Sequence, residues 1–418
     1  MSASTEKKIR AENRAAGTDK KTLALQEEEK KRKKSKARWT WGTAGVAVLI
    51  IAILFFSSNL FYRSTTALTI GDKSYGPDDV TYHYANQYYS FYSTYGSYAS
   101  LFGLDTTYGI SGLSSQEYSA GGEEGYTWKD YFIDAAKSEM TQLKALCDYA
   151  DENGIALDEE ALADISASLE ALDASAKENG YANAKKYLNA AYGDLVTLNT
   201  VEEANRESEL ANKAITAYKD SLEYTDEELE EYYASLNGSS DLFTYAYYYI
   251  AAETVETADS EGNTSASATE ETLAAARDSA TAIVSAFAED ENQYESIEAK
   301  LNAAIASVII PADGEEQAVC TYSEDIEGGY LSSYYNTWLM DENRTESDID
   351  IIENSDYGYY IVAFESRNDN SSDADGDGVI DRLTIARGFL TDDTVSEWIN
   401  TLAEGYEAKA GFGIKFVG

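Results

Sequence analysis

The longest unbroken apolar pattern in the chain comes early. From Trp39 to Tyr62 the sequence reads WTWGTAGVAVLIIAILFFSSNLFY, with no charged residue, and such a run is long enough for a helix to cross the roughly 30 Å hydrocarbon core of a bilayer. Trp39, Trp41 and Tyr62 fall where interfacial aromatics sit. A cleaved leader would have a shorter apolar part and a small-x-small exit, whereas the exit here is Ser57-Ser58-Asn59-Leu60-Phe61-Tyr62. The pattern predicts one retained membrane-spanning helix at 39–62. Lys33, Lys34, Lys36 and Arg38 flank it on one side, which predicts a cytoplasmic N-terminus and a cell-membrane location with the bulk of the chain extracytoplasmic.

Beyond Tyr62 the period changes. Ala67-Leu68-Thr69-Ile70 and Lys73-Ser74-Tyr75 flank Gly71-Asp72 and predict a hairpin. Pro77-Asp78-Asp79 opens a helix bearing Tyr82, Tyr84, Tyr88, Tyr89, Phe91, Tyr92, Tyr95, Tyr98 and Phe102. Their spacing wraps more than one face, which divides them between a core and an adaptable contact surface. Residues 104–126, rich in Gly, Ser and Tyr, read as a loop. Helical spacing returns over 128–152, 158–178, 181–192 and 198–235, and Thr225 with Glu228 makes a capping box inside the last of these.

From 241 onward strands enter the pattern. Asp241 to Ala252 is a run of β-formers, followed by a polar linker at 254–268, helical patterns near 269–288, 291–306 and 332–344, and strands at 348–353 and 357–366. Residues 383–390 read as one more strand. Val395, Trp398, Ile399, Leu402 and Tyr406 place an amphipathic helix over 393–408, and Ile414-Lys415-Phe416-Val417 is a short apolar end.

Composition limits what these elements do. Residues 1–38 hold 13 Lys/Arg against 6 Asp/Glu, while the remaining 380 residues hold 19 against 69. The large acidic region repels nucleic acid and anionic headgroups, so no nucleic-acid partner is expected for it. The short tail, with Glu27-Glu28-Glu29 ahead of the basic run from Lys30 to Lys34, reads as a topology determinant lying against anionic lipid. Cys147 and Cys320 are the only cysteines and exclude a disulfide framework. With His83 as the sole histidine, a multi-histidine zinc site cannot be built, and no convincing nucleophile-base pair assembles for a hydrolase.

The hairpin and helix start ALTIGDKSYGPDDV, the segment Ala191-Tyr192-Gly193 and the closing YTDEELEEYY from Tyr224 to Tyr233 resemble, in that order, extracytoplasmic chaperones of the PrsA and SurA type. That resemblance implies a helical chaperone domain beside a parvulin-type peptidyl-prolyl isomerase domain, with unfolded or nascent secreted polypeptides as partners. Three local matches extend it. Glu327-Gly328-Gly329-Tyr330-Leu331 looks like the parvulin G-G-D-L-G turn with its Asp and last Gly altered, Tyr357-Gly358-Tyr359-Tyr360-Ile361-Val362 like the terminal F-G-Y-H-I-I strand, and Tyr322-Ser323-Glu324-Asp325 like the Y-S-x-D before the double glycine. The family's two pocket histidines are both replaced. Tyr360 stands at the last position, and the first falls within Tyr247-Tyr248-Tyr249, with Tyr248 at its centre. Either Cys320 or Asp325 takes the acidic-or-thiol position. Isomerisation needs only a pocket that favours the twisted amide over a barrier of about 20 kcal/mol, but the lost histidines favour a peptide-binding remnant over an efficient isomerase. They also admit an alternative function, a surface-anchored binding or scaffolding protein with an inactive isomerase fold.

One motif stands apart. Asp373, Asp375, Asp377, Val379 and Asp381 occupy positions 1, 3, 5, 7 and 9 of a calcium loop of the EF-hand kind, while position 12 is Thr384 instead of the closing Glu. Calcium, as a structural ion, is the only cofactor expected. The expected fold is α+β: one transmembrane helix, a mostly helical SurA-N/PrsA-like chaperone domain and a parvulin-like α+β domain. Its segments are a basic tail at 1–38, the span at 39–62, the helical domain at 63–238, the parvulin-like domain at 239–368, and the acidic loop with a C-terminal extension at 369–418.

Overall fold

A computed structural model describes residues 6–9, 11–12, 46–55, 59–121, 124–258, 264–355 and 357–418. Most of the basic tail lies outside the described residues, as do 39–45 and 56–58 of the apolar run. Residues 46–55 form a largely exposed helix, and a short helix, Asn59–Arg63, follows. Among the described residues no helix is long and apolar enough to cross a membrane, which corrects the expected transmembrane helix at 39–62.

The chain divides into two units, one made of residues up to Asp220 together with Ser396–Gly418, the other of Ser221–Val395. In the first, strands β1 (Leu68–Ile70) and β2 (Lys73–Tyr75) form the predicted hairpin, and Gly71 takes φ +58° in its turn, a conformation that disfavours a side chain. Among the described residues the α-helices that follow are α1 (Pro77–Tyr95), α2 (Trp128–Glu152), α3 (Glu159–Glu178), α4 (Ala184–Tyr192) and α5 (Leu198–Asp220). Side-chain capping sets two of the starts, and at α2 it is reciprocal. Asp79 accepts from the Gly76 amide at α1, and at α2 Thr127 and Asp130 satisfy each other's backbone N–H.

The hairpin gains a third strand, Ala408–Ala410, which pairs antiparallel to β1 with Leu68 opposite Ala410. Val417, fully buried, joins Leu68, Ile70, Tyr84, Trp128, Phe132 and Met140 in the core. Nearby, the almost buried Lys144 ammonium lies 2.8 Å from Asp72 and 2.6 Å from Asp148, and the Tyr406 hydroxyl donates to Asp148 (2.7 Å). Trp398 stacks on Tyr218 with ring centroids 4.0 Å apart. The returning segment is thus bound into this unit by strand pairing, burial and hydrogen bonds.

The second unit opens with α6 (Asp226–Ser235). The helical pattern expected to run unbroken over 198–235 stops at Asp220 and restarts behind Thr225, whose hydroxyl accepts from the Glu228 amide. Strand β3 (Leu242–Ala251) is followed by a ribbon, β4 (Thr254–Ala258) and β5 (Thr264–Ala268), in the stretch expected to be a linker. Helices α7 (Glu270–Glu289) and α8 (Ile297–Val308) precede β6 (Thr321–Glu327), a short helix Asn336–Leu339, β7 (Ile349–Asn354) and β8 (Gly358–Asn368). The strands form one antiparallel sheet in the order β6-β3-β8-β7.

One face of the sheet, through Ala246, Ile361 and Ala363, packs on Ala280, Ile283, Phe287, Leu301 and Ile305 of α7 and α8. The other, through Phe243, Tyr245, Val362 and Phe364, packs on Leu331, Tyr335 and Leu339. Gly328 passes so close to the 238–241 loop that a Cβ would lie 2.1 Å from the Gly238 carbonyl oxygen. Buried Asp241, paired with Arg367 and accepting from the Tyr233 hydroxyl (2.7 Å), fastens α6 to the ends of β3 and β8. A single helix, α9 (Asp381–Ala403), replaces the strand expected at 383–390 and the helix expected at 393–408. Leu383 and Ala386, three residues apart, pack on Leu229 and Tyr233, so the helical spacing is the one with a partner.

Candidate functional site

Two tyrosine-lined surfaces emerge, one in each unit. In the first unit α1 ends at Tyr95, so Tyr98 and Phe102 of the aromatic series fall on the 3-10 turns that follow it, and the series divides between core and surface. Tyr84 and Tyr88 are core, while Tyr92, Tyr95, Tyr98 and Phe102 are exposed. Tyr88, Tyr89 and Tyr92 line one side of an open groove of about 560 Å³, with Tyr108 and Ile110 from the following turns and Tyr192 and Gly193 from the end of α4. The Tyr89 hydroxyl donates to the Ala191 carbonyl (2.6 Å) and that of Tyr192 to Asn86 (2.9 Å). Burial raises the pKa of both hydroxyls, with nearby tyrosines adding to the effect, so they remain neutral donors. Among the described residues no Asp, Glu, Lys or Arg side chain lines the groove, which is notable in a chain with 75 acidic residues.

The second surface lies on the sheet. Strands alternate their side chains, so Tyr245, Tyr247 and Tyr249 of β3 share a face with Tyr360 of β8. Tyr249 stands directly opposite Tyr360, with ring centroids 4.6 Å apart. Tyr334 and Tyr335, carried there by the turn after β6, approach Tyr360 to 5.3 and 5.5 Å. Burial raises the pKa of the Tyr335 hydroxyl, and a hydrogen bond with Tyr245 adds to this. The shelf offers ring faces and hydroxyls.

The residues expected to form one pocket are not all brought together. Tyr360 is on the shelf. Tyr248 points to the opposite face, where it packs with Cys320 against the helices, so the tyrosine opposite Tyr360 is its neighbour Tyr249. Burial pushes the Cys320 thiol up to about 11; its sulfur faces the Glu298 carbonyl and its amide donates to Asn302, which is a packing role. Asp325 is exposed at a register shift in β6 with φ +51°, its amide donating to Thr244. Both cysteines are free. His83 is buried on α1, its Nδ1 3.2 Å from Glu139 of α2. The tyrosines at 334 and 335 went unnoticed in the sequence because nothing local shows that the turn after β6 folds back over β8.

The acidic loop places the carboxylates of Asp373, Asp375 and Asp377 within 4.8 Å of one another, all exposed. Gly376 and Gly378 take positive φ, and Asp373 accepts from both of their amides (2.7 and 3.0 Å). Asp381 begins α9, and Thr384 lies one turn inside it, where it brings no carboxylate.

No protein-family model and no curated protein matches the chain. Among solved structures it is similar to a SurA-like chaperone of Campylobacter jejuni, with 5% identity over 83% of this chain and 99% of that one and a TM-score of 0.28. It is also similar to the foldase PrsA of Streptococcus pneumoniae (13% identity, 68% and 91% covered, TM-score 0.25) and to PrsA of Bacillus subtilis (14%, 70% and 87%, 0.19). These are SurA-like and PrsA proteins, the type that the hairpin and helix motifs resemble. With TM-scores below 0.5, what the chain does is argued from its own residues.

Proposed function

We propose that this chain is a chaperone of the foldase type that holds unfolded, secreted polypeptides outside the cytoplasm. The observation that carries this is the tyrosine groove of the helical unit, whose described lining has no charged side chain. Its volume suits a few residues of extended chain. Tyrosine supplies large, stiff, amphipathic contact area at low entropic cost, and a lining without charged side chains favours no one client sequence, as a holder of varied clients requires. The tyrosine shelf on the sheet supports a second contact, with the family's histidine pair replaced by Tyr249 and Tyr360; binding of peptide, without prolyl isomerisation, is the role proposed for it.

The test is light scattering during dilution of several unrelated unfolded proteins. The full-length chain should suppress aggregation of most of them. Tyr92→Ser with Tyr108→Ser, both exposed side chains in the groove, should reduce that effect several-fold while leaving the melting temperature in place. Failure of the native chain on every client would sink the proposal.

Calcium is proposed as a structural ion at the acidic loop, held by Asp373, Asp375 and Asp377 with the Val379 carbonyl. Hard oxygen donors at this spacing suit it. It would neutralise three clustered carboxylates ahead of α9.

A further inference from the structure

We propose that the tyrosine face of the four-stranded sheet takes extended, Lys/Arg-rich stretches of polypeptide; this rests on the peptide-holding function and specifies its clients. Residues 221–395 carry 40 Asp/Glu against 6 Lys/Arg. Four of those six are already engaged: Arg367 by Asp241, Arg382 by Glu230, Arg344 over the Trp338 ring at 3.9 Å and Lys300 over the Phe287 ring at 4.3 Å. The half-exposed rings of Tyr247, Tyr249 and Tyr360, with Tyr334 more open still, present π-faces that attract ammonium and guanidinium groups. Asp350, exposed and opposite Val362 in the register, adds a carboxylate on the same face.

Geometry favours an extended occupant. Tyr247 and Tyr249 are two residues apart on one strand, about 7 Å, which is also the spacing of alternate side chains in an extended peptide. Charge excludes the rival occupants. A second copy would bring the same acidic unit against itself, and nucleic acid is repelled. A cationic segment instead meets an attractive field on approach and ring faces on arrival, so the acidic surface selects and the tyrosines hold.

Fluorescence anisotropy of the full-length chain tests this with a labelled, unstructured peptide bearing Arg at alternate positions and the same peptide with Gln in their place. The Arg peptide should bind about tenfold more tightly in low salt, and the advantage should shrink in high salt. Tyr360→Leu should remove most of the preference and Tyr360→Phe, which keeps the ring, should retain it. Should Tyr360→Leu fail to fold, Tyr334→Ser on the exposed lip should still cut the preference several-fold. Equal binding of the two peptides would overturn the proposal, as would an Arg preference untouched by loss of the ring, which would mean general attraction to the acidic surface. Aggregation suppression of neutral clients stands or falls separately, so failure here is distinguishable from failure of the chaperone function.

Discussion

Asp79 is where burial and charge meet most sharply in the first unit. Its carboxylate accepts from the Gly76 amide at 2.8 Å, yet burial, with Asp78 beside it, lifts its pKa to about 6. An unfolded Asp titrates near 3.9. Between roughly pH 4 and 6 the folded chain therefore binds a proton that the unfolded chain has lost, and stability contributed by this group falls as pH rises through that window. Asp79→Asn keeps an acceptor for Gly76 and removes the charge. It should raise stability by about 1–2 kcal/mol above pH 6, allowing for partial solvent screening, and change little at pH 4. Thermal melts at pH 4 and 7.5 check this; a variant less stable than the native chain at pH 7.5 would show that the cap outweighs the buried charge.

At the scale of elements, some signals were local and some were not. Helix α2 was legible to the residue because Trp128, Phe132, Ala136 and Met140 keep helical spacing behind the Thr127 cap. Residues 383–390 were misread because Leu383, Ile385 and Phe389 also fit an alternating pattern; only the surface formed by Leu229 and Tyr233 decides between the two periods. The register of Tyr247-Tyr248-Tyr249 was equally hidden, since three identical residues carry no face information and an irregularity between Thr244 and Tyr245 shifts the pairing.

The acidic loop was legible as a motif, and its consequence belongs to α9, which begins within it at Asp381. Millimolar calcium is expected to raise the melting temperature of the native chain by a few degrees, and Asp373→Asn with Asp377→Asn to abolish that response. An unchanged melt with calcium would dismiss the ion.

For the whole molecule, the charge imbalance and the presence of helical and sheet regions could be read from composition and period. The discontinuity of the first unit could not, because the pairing of Leu68 with Ala410 leaves no trace in either segment alone. Truncation after Ala403 would remove the third strand, the Tyr406 hydrogen bond and the buried Val417. The expected cost is about 3–5 kcal/mol. It should appear in calorimetry as a lower transition together with faster proteolysis within 63–220, while 221–395 stays protected. Equal protease sensitivity of the native and truncated chains over 63–220 would argue that the returning segment is an accessory.

That same strand also sets an order in time. On a ribosome, β1 and β2 emerge long before Ala408–Ala410 exist, so their sheet waits for its third member through the synthesis of everything from 221 to 395. The inserted unit has all its strands within one contiguous stretch and is free to fold first. A protein proposed to shelter incomplete chains would thus spend part of its own synthesis as one, with β1 left as an open edge until Ala408–Ala410 arrive.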